Sequence, residues 1–88
     1  MRLVAHFAAR YPAAKARALG VGDYAKIGNG VERFWVRVTS VNDAAIRGAV
    51  DNVLATPMLR RKYPVGRIVA FERRHVYDTM PAALADEA

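Results

Sequence analysis

The segment Glu32-Arg33-Phe34-Trp35-Val36-Arg37-Val38-Thr39 constrains the fold more than any other part of this chain. Apolar and polar residues alternate through it with the period of a β-strand. Phe34, Val36 and Val38 therefore share one face, and Arg33, Trp35, Arg37 and Thr39 share the other. The first face reads as core. The second sets the only tryptophan between two arginines, which is either a second packed layer or a contact surface.

The rest of the chain limits what that strand can belong to. A length of 88 residues gives room for one domain, expected over 1–80 with 81–88 as a frayed, acidic tail. A hydrophobic share of 53% is enough to build one core and argues against disorder. There is no cysteine, so neither disulfides nor a thiolate metal site exist. Arg10, Lys15 and Arg17 interrupt any signal-like apolar run, and no stretch approaches the roughly 20 apolar residues that span a bilayer. The expectation is a cytoplasmic protein with no membrane partner.

Residues 2–19 carry a helical repeat, with Leu3, Phe7 and Tyr11 as a stripe and Val4 and Ala8 beside it. Pro12 has no amide proton and should kink or split that helix, and Gly20 is placed to end it. The period then changes. Asp23 to Ile27 reads as a short strand, Gly28-Asn29-Gly30 as a turn, Val31 to Val41 as the long strand, and Ala45 to Val50 as its return after Asn42-Asp43. Gly48 inside a strand suggests a bulge or a close backbone approach. Residues 51–65, with Pro57 and Pro64, read as a loop with room for one helical turn. Arg67 to Glu72 is the next strand, and a brief last strand follows near His75 to Asp78. The expected fold is α+β: an N-terminal helix, kinked or split at Pro12, packed on a curved antiparallel sheet of 4–5 strands or a small SH3-like barrel.

The run Gly22-Asp23-Tyr24-Ala25-Lys26, Glu32-x-x-Trp35-Val36, Ile46-x-Gly48, Asn52, Gly66-x-x-Val69-x-Phe71, Val76-x-Asp78 resembles the YegJ-like family of small bacterial proteins of unknown function. The resemblance spans residues 22–78 and implies a helix before a sheet. It implies no established activity, and so supplies architecture without chemistry.

No catalytic set is marked. His6 and His75 are the only histidines, far apart and without cysteine, which makes a poor metal site. His75-x-x-Asp78 has the spacing of an oriented base, but no serine or cysteine nucleophile accompanies it, and a locally bonded rim histidine is the simpler reading. Glu32 and Asp78 have no visible cleft to serve as a carboxylate pair. Gly28-Asn29-Gly30 lacks the helix start and lysine of a phosphate loop. We therefore expect no enzyme, no cofactor, no metal and no small-molecule substrate.

Charge points toward binding instead. Fourteen Lys and Arg against eight Asp and Glu leave a net charge of +6, which favours an anionic partner. Arg60, Arg61, Lys62, Arg67, Arg73 and Arg74 are concentrated in loops, where contact residues usually sit. The leading expectation is a basic, non-enzymatic module that docks these loops on an acidic protein surface. The alternatives are a DNA- or RNA-binding domain, or a phage- or plasmid-borne inhibitor of a nucleoprotein complex. Arg33, Trp35 and Arg37 form a second contact face, since an aromatic between cations suits a base between phosphates. Against that, Trp35 is the largest apolar surface on which the N-terminal helix could pack, and the balance favours a buried indole. Partner identity and oligomeric state are left open by the sequence.

Overall fold

A computed structural model describes residues 18–28, 30–43 and 45–83. Five strands form one antiparallel sheet: β1 (Tyr24–Gly28), β2 (Arg33–Val41), β3 (Ile46–Val50), β4 (Ile68–Phe71) and β5 (Asp78–Met80). Their spatial order is β4-β3-β2-β1-β5. The first four strands thus form a meander, and the chain then crosses back to pair β5 with β1. A short α-helix, α1 (Pro57–Lys62), interrupts the link between β3 and β4, and a 3-10 turn (Arg73–His75) leads into the last crossing. This strand order is compatible with a barrel-like sheet.

The alternation read in β2 is realised residue by residue. Phe34, Val36 and Val38 are fully buried, while Arg33, Arg37 and Thr39 are exposed. Register carries the same division across the neighbours. Ala25 pairs with Val36 and Ile27 with Phe34; Val50 also pairs with Val36, and Ile46 with Phe71. Cross-strand partners lie on the same face, so these residues build one continuous apolar layer.

Gly48 is where the sheet needs a missing side chain. It pairs with Val38 beside a register shift between Val38 and Ser40, and a Cβ there would lie 2.8 Å from Val36 Cγ2. Both features anticipated for this glycine, bulge and close approach, occur together. The positive φ angles fall instead at Gly22, Gly30 and Gly66, where turns demand the left-handed region. Gly20 is not among them. Its N–H donates to Asp23 Oδ2 at 2.8 Å, in a turn that leads into β1.

The expected α+β arrangement is corrected here. Among the described residues the fold is mostly a five-stranded antiparallel sheet with one six-residue helix, and no long helix packs on that sheet. The helix expected over 2–19 falls outside the described residues except for Ala18 and Leu19, of which Leu19 is buried. The sheet's apolar layer is closed by other means. Leu54 and Tyr63, on either side of α1, insert into it, and Val76 covers it from the last crossing. The Tyr63 ring stacks on Phe34 with centroids 5.3 Å apart. Burying a side chain of the size of Leu54 contributes about 1.5–3 kcal/mol. An irregular loop thus supplies apolar cover to the Phe34 face of the sheet.

The loop is itself tied to β2. The Glu32 carboxylate accepts hydrogen bonds from Ala55 N–H at 2.7 Å and Thr56 N–H at 3.0 Å. Thr56 makes no side-chain cap of its own, and Pro57 opens the helix, a position where its missing N–H costs nothing. Arg60 closes the same knot from the other side. Its Nε donates to the Leu54 carbonyl at 2.9 Å and its second terminal nitrogen to Ala55 at 3.1 Å.

Candidate functional site

Trp35 lies on the face opposite the core. It is half-buried and, among the described residues, does not belong to the apolar cluster; the helix expected to cover it falls outside the described residues. Its backbone is pinned on both sides: Trp35 N–H donates to Asn52 Oδ1 at 2.6 Å, and Trp35 C=O accepts from Asp51 N–H at 2.9 Å. The side chain is thereby held at a fixed place on the central strand of the five.

Register then decides what surrounds it. Lys26 is directly opposite Trp35 and Tyr24 directly opposite Arg37. The Lys26 Nζ sits 5.7 Å from the Trp35 ring centre and the Arg37 guanidinium 5.9 Å from that of Tyr24. At the end of the row, the Arg33 guanidinium lies 4.1 Å from the ring centre of Tyr77. Down β2 the order is cation, ring, cation; beside it run Tyr77, Lys26 and Tyr24, ring, cation, ring. Each ring meets a cation across the strand boundary. The two longer contacts are close to the roughly 6 Å limit of a cation–π interaction and contribute about 0.5–1 kcal/mol at an exposed site.

Charge on this face is strongly one-sided. Alternation in β3 adds Arg47, whose neighbours Ile46 and Gly48 point to the core, to Lys26, Arg33 and Arg37. Asp78, the cross-strand partner of Lys26, is the acid of β5, and its Oδ1 accepts from Thr79 N–H at 2.8 Å.

The basic loop residues are placed differently. Arg60, Arg61 and Lys62 stand on α1, at the Glu32 end of β2. Arg73 reaches the opposite end of β2, donating to the Asn42 carbonyl at 3.3 Å. Nine residues of strand lie between these ends, or up to about 26 Å at 3.3 Å per residue. The cluster inferred from sequence is thus divided between two ends of the sheet. Several of its members are also engaged within the fold. Arg60 holds Leu54 and Ala55, and Arg74 pairs with Glu72 at 3.1 Å. That pair, and chiefly the hydrogen bond from Arg74, holds the Glu72 carboxyl below its ordinary range. Lys62 Nζ lies 5.6 Å from the Tyr63 ring. Arg61 and Arg67 are exposed.

Residues considered for chemistry have structural duties. His75 is buried, and its Nδ1 accepts from Glu72 N–H at 3.0 Å while the Glu72 side chain bonds back to the turn, forming a capping box. Glu32 is committed to Ala55 and Thr56. His6 lies outside the described residues. No group of His, Asp and Glu suited to a metal ion occurs among the described residues, and no helix there is long and apolar enough to cross a membrane. A pocket of about 60 Å³ is lined in part by Leu19, Asp23 and Met80.

Comparison with family models, curated proteins and solved structures gives no match. The glycines, Glu32, Asn52 and Asp23 singled out in the sequence have definite places in the fold. Gly22 and Gly66 adopt positive φ, Gly48 allows a close approach, Glu32 anchors the α1 loop, and Asn52 holds Trp35. Asp23 bonds both Gly20 N–H and Ala82 N–H. Each of these residues has a structural task.

Sequence reasoning named Arg33, Trp35 and Arg37 but missed Lys26 and Tyr77 as their companions. Alternation in β1 did place Tyr24 and Lys26 on one face. What sets Lys26 against Trp35 is register, and no single-strand pattern specifies it.

Proposed function

We propose that this chain is a non-enzymatic nucleic-acid-binding module whose contact surface is the outer face of β1 and β2. The observation that carries the reading is the alternation of Trp35, Tyr24 and Tyr77 with Lys26, Arg37 and Arg33. Cations alone would suit any polyanion, including an acidic protein. Flat aromatic faces between the cations favour a ligand that has π-faces between its charges, and a nucleic acid has both. The energies are also in the right order. Stacking a base contributes about 1–3 kcal/mol, more than the about 0.5–1 kcal/mol of an exposed cation–π contact, so a base can displace Lys26 from Trp35 and leave the ammonium for a phosphate. The division of the basic loops between the two ends of β2 weighs against their acting as one docking patch.

The test is fluorescence anisotropy with mixed-sequence oligonucleotides from about 50 to 200 mM salt. Three phosphate-reaching cations on a single strand predict a slope of log K against log salt near −2, at about −0.7 per contact. No binding to any oligonucleotide at about 50 mM salt would overturn the proposal. Binding of poly-glutamate at comparable affinity, weakened by the same Arg33→Glu and Arg37→Glu substitutions, would assign the face to an acidic protein instead.

A further inference from the structure

Resting on that reading, we infer that the face selects unpaired nucleic acid, taking neighbouring bases on Trp35 and Tyr24 and rejecting a continuous duplex. The first argument is the position of the indole. β2 is the middle strand of the order β4-β3-β2-β1-β5, so Trp35 has two strands on either side. Five strands at about 4.8 Å spacing make a face about 19 Å across, whereas the major groove is about 12 Å wide and the minor groove about 6 Å. A face that broad fits neither groove of undistorted B-DNA, so its central ring reaches base edges of a duplex only if the duplex is first opened or kinked at an unstacking cost. A ring that cannot enter an undistorted groove meets a base only when the base comes out to it.

The second argument is spacing. Trp35 and Tyr24 stand on adjacent strands, one diagonal step apart, because Tyr24 pairs with Arg37 and Lys26 with Trp35. Diagonal neighbours are about 7–8 Å apart, near enough for adjacent nucleotides. Arg33 and Arg37 bracket Trp35 along the strand, each two residues and about 6.6 Å away. A strand laid along β2 thus meets a cation, a ring and a cation in turn. In a duplex both faces of every base are already stacked, and extracting one carries an unstacking cost that an unpaired strand does not bear.

Oligothymidylate, oligouridylate and a blunt-ended duplex of mixed sequence are the probes, read by the intrinsic fluorescence of Trp35 and by anisotropy. The expected result is quenching of Trp35 by both single strands and at least tenfold weaker binding of the duplex. Trp35→Ala should weaken single-strand binding by about 5- to 150-fold, and Trp35→Phe should retain most of the affinity. Trp35 and Tyr24 are half-buried, so each variant's melting profile is recorded and affinities are compared well below its transition; Trp35→Phe, which keeps a ring in place, separates lost stacking from lost stability, and Tyr24→Leu gives a second readout. A difference between oligothymidylate and oligouridylate distinguishes DNA from RNA as the source of the strand. If the duplex binds as well as the single strands, and Trp35→Ala binds unchanged while Arg33→Ala and Arg37→Ala bind weakly, the selection for unpaired bases is wrong and the broader nucleic-acid reading survives. If no oligonucleotide binds, both fall.

Discussion

Replacing Gly48 by alanine tests the packing that gives the sheet its shape. The added methyl would lie 2.8 Å from Val36 Cγ2, 3.0 Å from Val36 Cβ and 3.1 Å from the Arg37 carbonyl oxygen. Carbon atoms in contact prefer about 3.5–4.0 Å. Val36 is fully buried, so β2 or β3 must shift to relieve the overlap. Overpacking of this kind costs about 1–3 kcal/mol. Alanine also restricts the unfolded chain, which returns about 0.4–1 kcal/mol where the native conformation tolerates it, and the φ of Gly48 is not positive. The net expectation for Gly48→Ala is a loss of about 1–2 kcal/mol, or a fall in melting temperature of about 5–15 °C for a domain of this size. Denaturant unfolding followed by circular dichroism measures it. Val36→Ala removes Cγ2, the nearest of these three atoms, and leaves Val36 Cβ and the Arg37 carbonyl in place, so in that background the same substitution should cost less without becoming free, with a coupling of about 0.5 kcal/mol or more. An equal cost in both backgrounds would refute the argument, because the harm would then not come from Val36.

Two further outcomes concern the loop that closes the core. The hydrogen bonds from Ala55 and then Thr56 hold the Glu32 carboxyl below its ordinary value of 4.5; a lowered folded-state value contributes stability above pH 4.5 that disappears as pH falls through the folded value. Glu32→Gln should therefore melt below wild type at neutral pH, and the difference should vanish under acid; a gap that persists at low pH contradicts the role given to the carboxylate. The Tyr63 hydroxyl is buried without a hydrogen-bond partner among the described residues, a condition that costs about 1–3 kcal/mol. Tyr63→Phe keeps the ring on Phe34 and should raise stability in urea, whereas a loss would mean that the hydroxyl has a partner.

The parts of the fold legible in sequence are those governed by local chemistry. The alternation of β2 declared its core face, and Gly48 its close approach. The cover of the core was not legible. Leu54 and Tyr63 lie in a stretch with no periodicity, and their insertion depends on Glu32 capturing Ala55 and Thr56 from more than twenty residues away. The regular stripe at Leu3, Phe7 and Tyr11 was expected to pack on Trp35, on the other face of β2, and it falls outside the described residues. The contact face shows the same limit. Arg33, Trp35 and Arg37 were visible because they lie on one strand. Lys26 and Tyr77 join them only through strand pairing, and the six loop cations looked like one cluster only because sequence does not show that α1 and the 3-10 turn sit at opposite ends of β2.

The outer face of β1 and β2, rather than the basic loops, is the contact surface in this account. The most direct measurement is a proton–nitrogen correlation spectrum of the labelled protein titrated with oligothymidylate. The account predicts that the Trp35 indole N–H and the amides of residues 24–26 and 33–37 shift in a saturable way, while those of Arg61, Lys62 and Arg67 stay in place. Shifts confined to Arg60–Lys62, Arg67 and Arg73–Arg74, with the Trp35 indole unmoved, would contradict it.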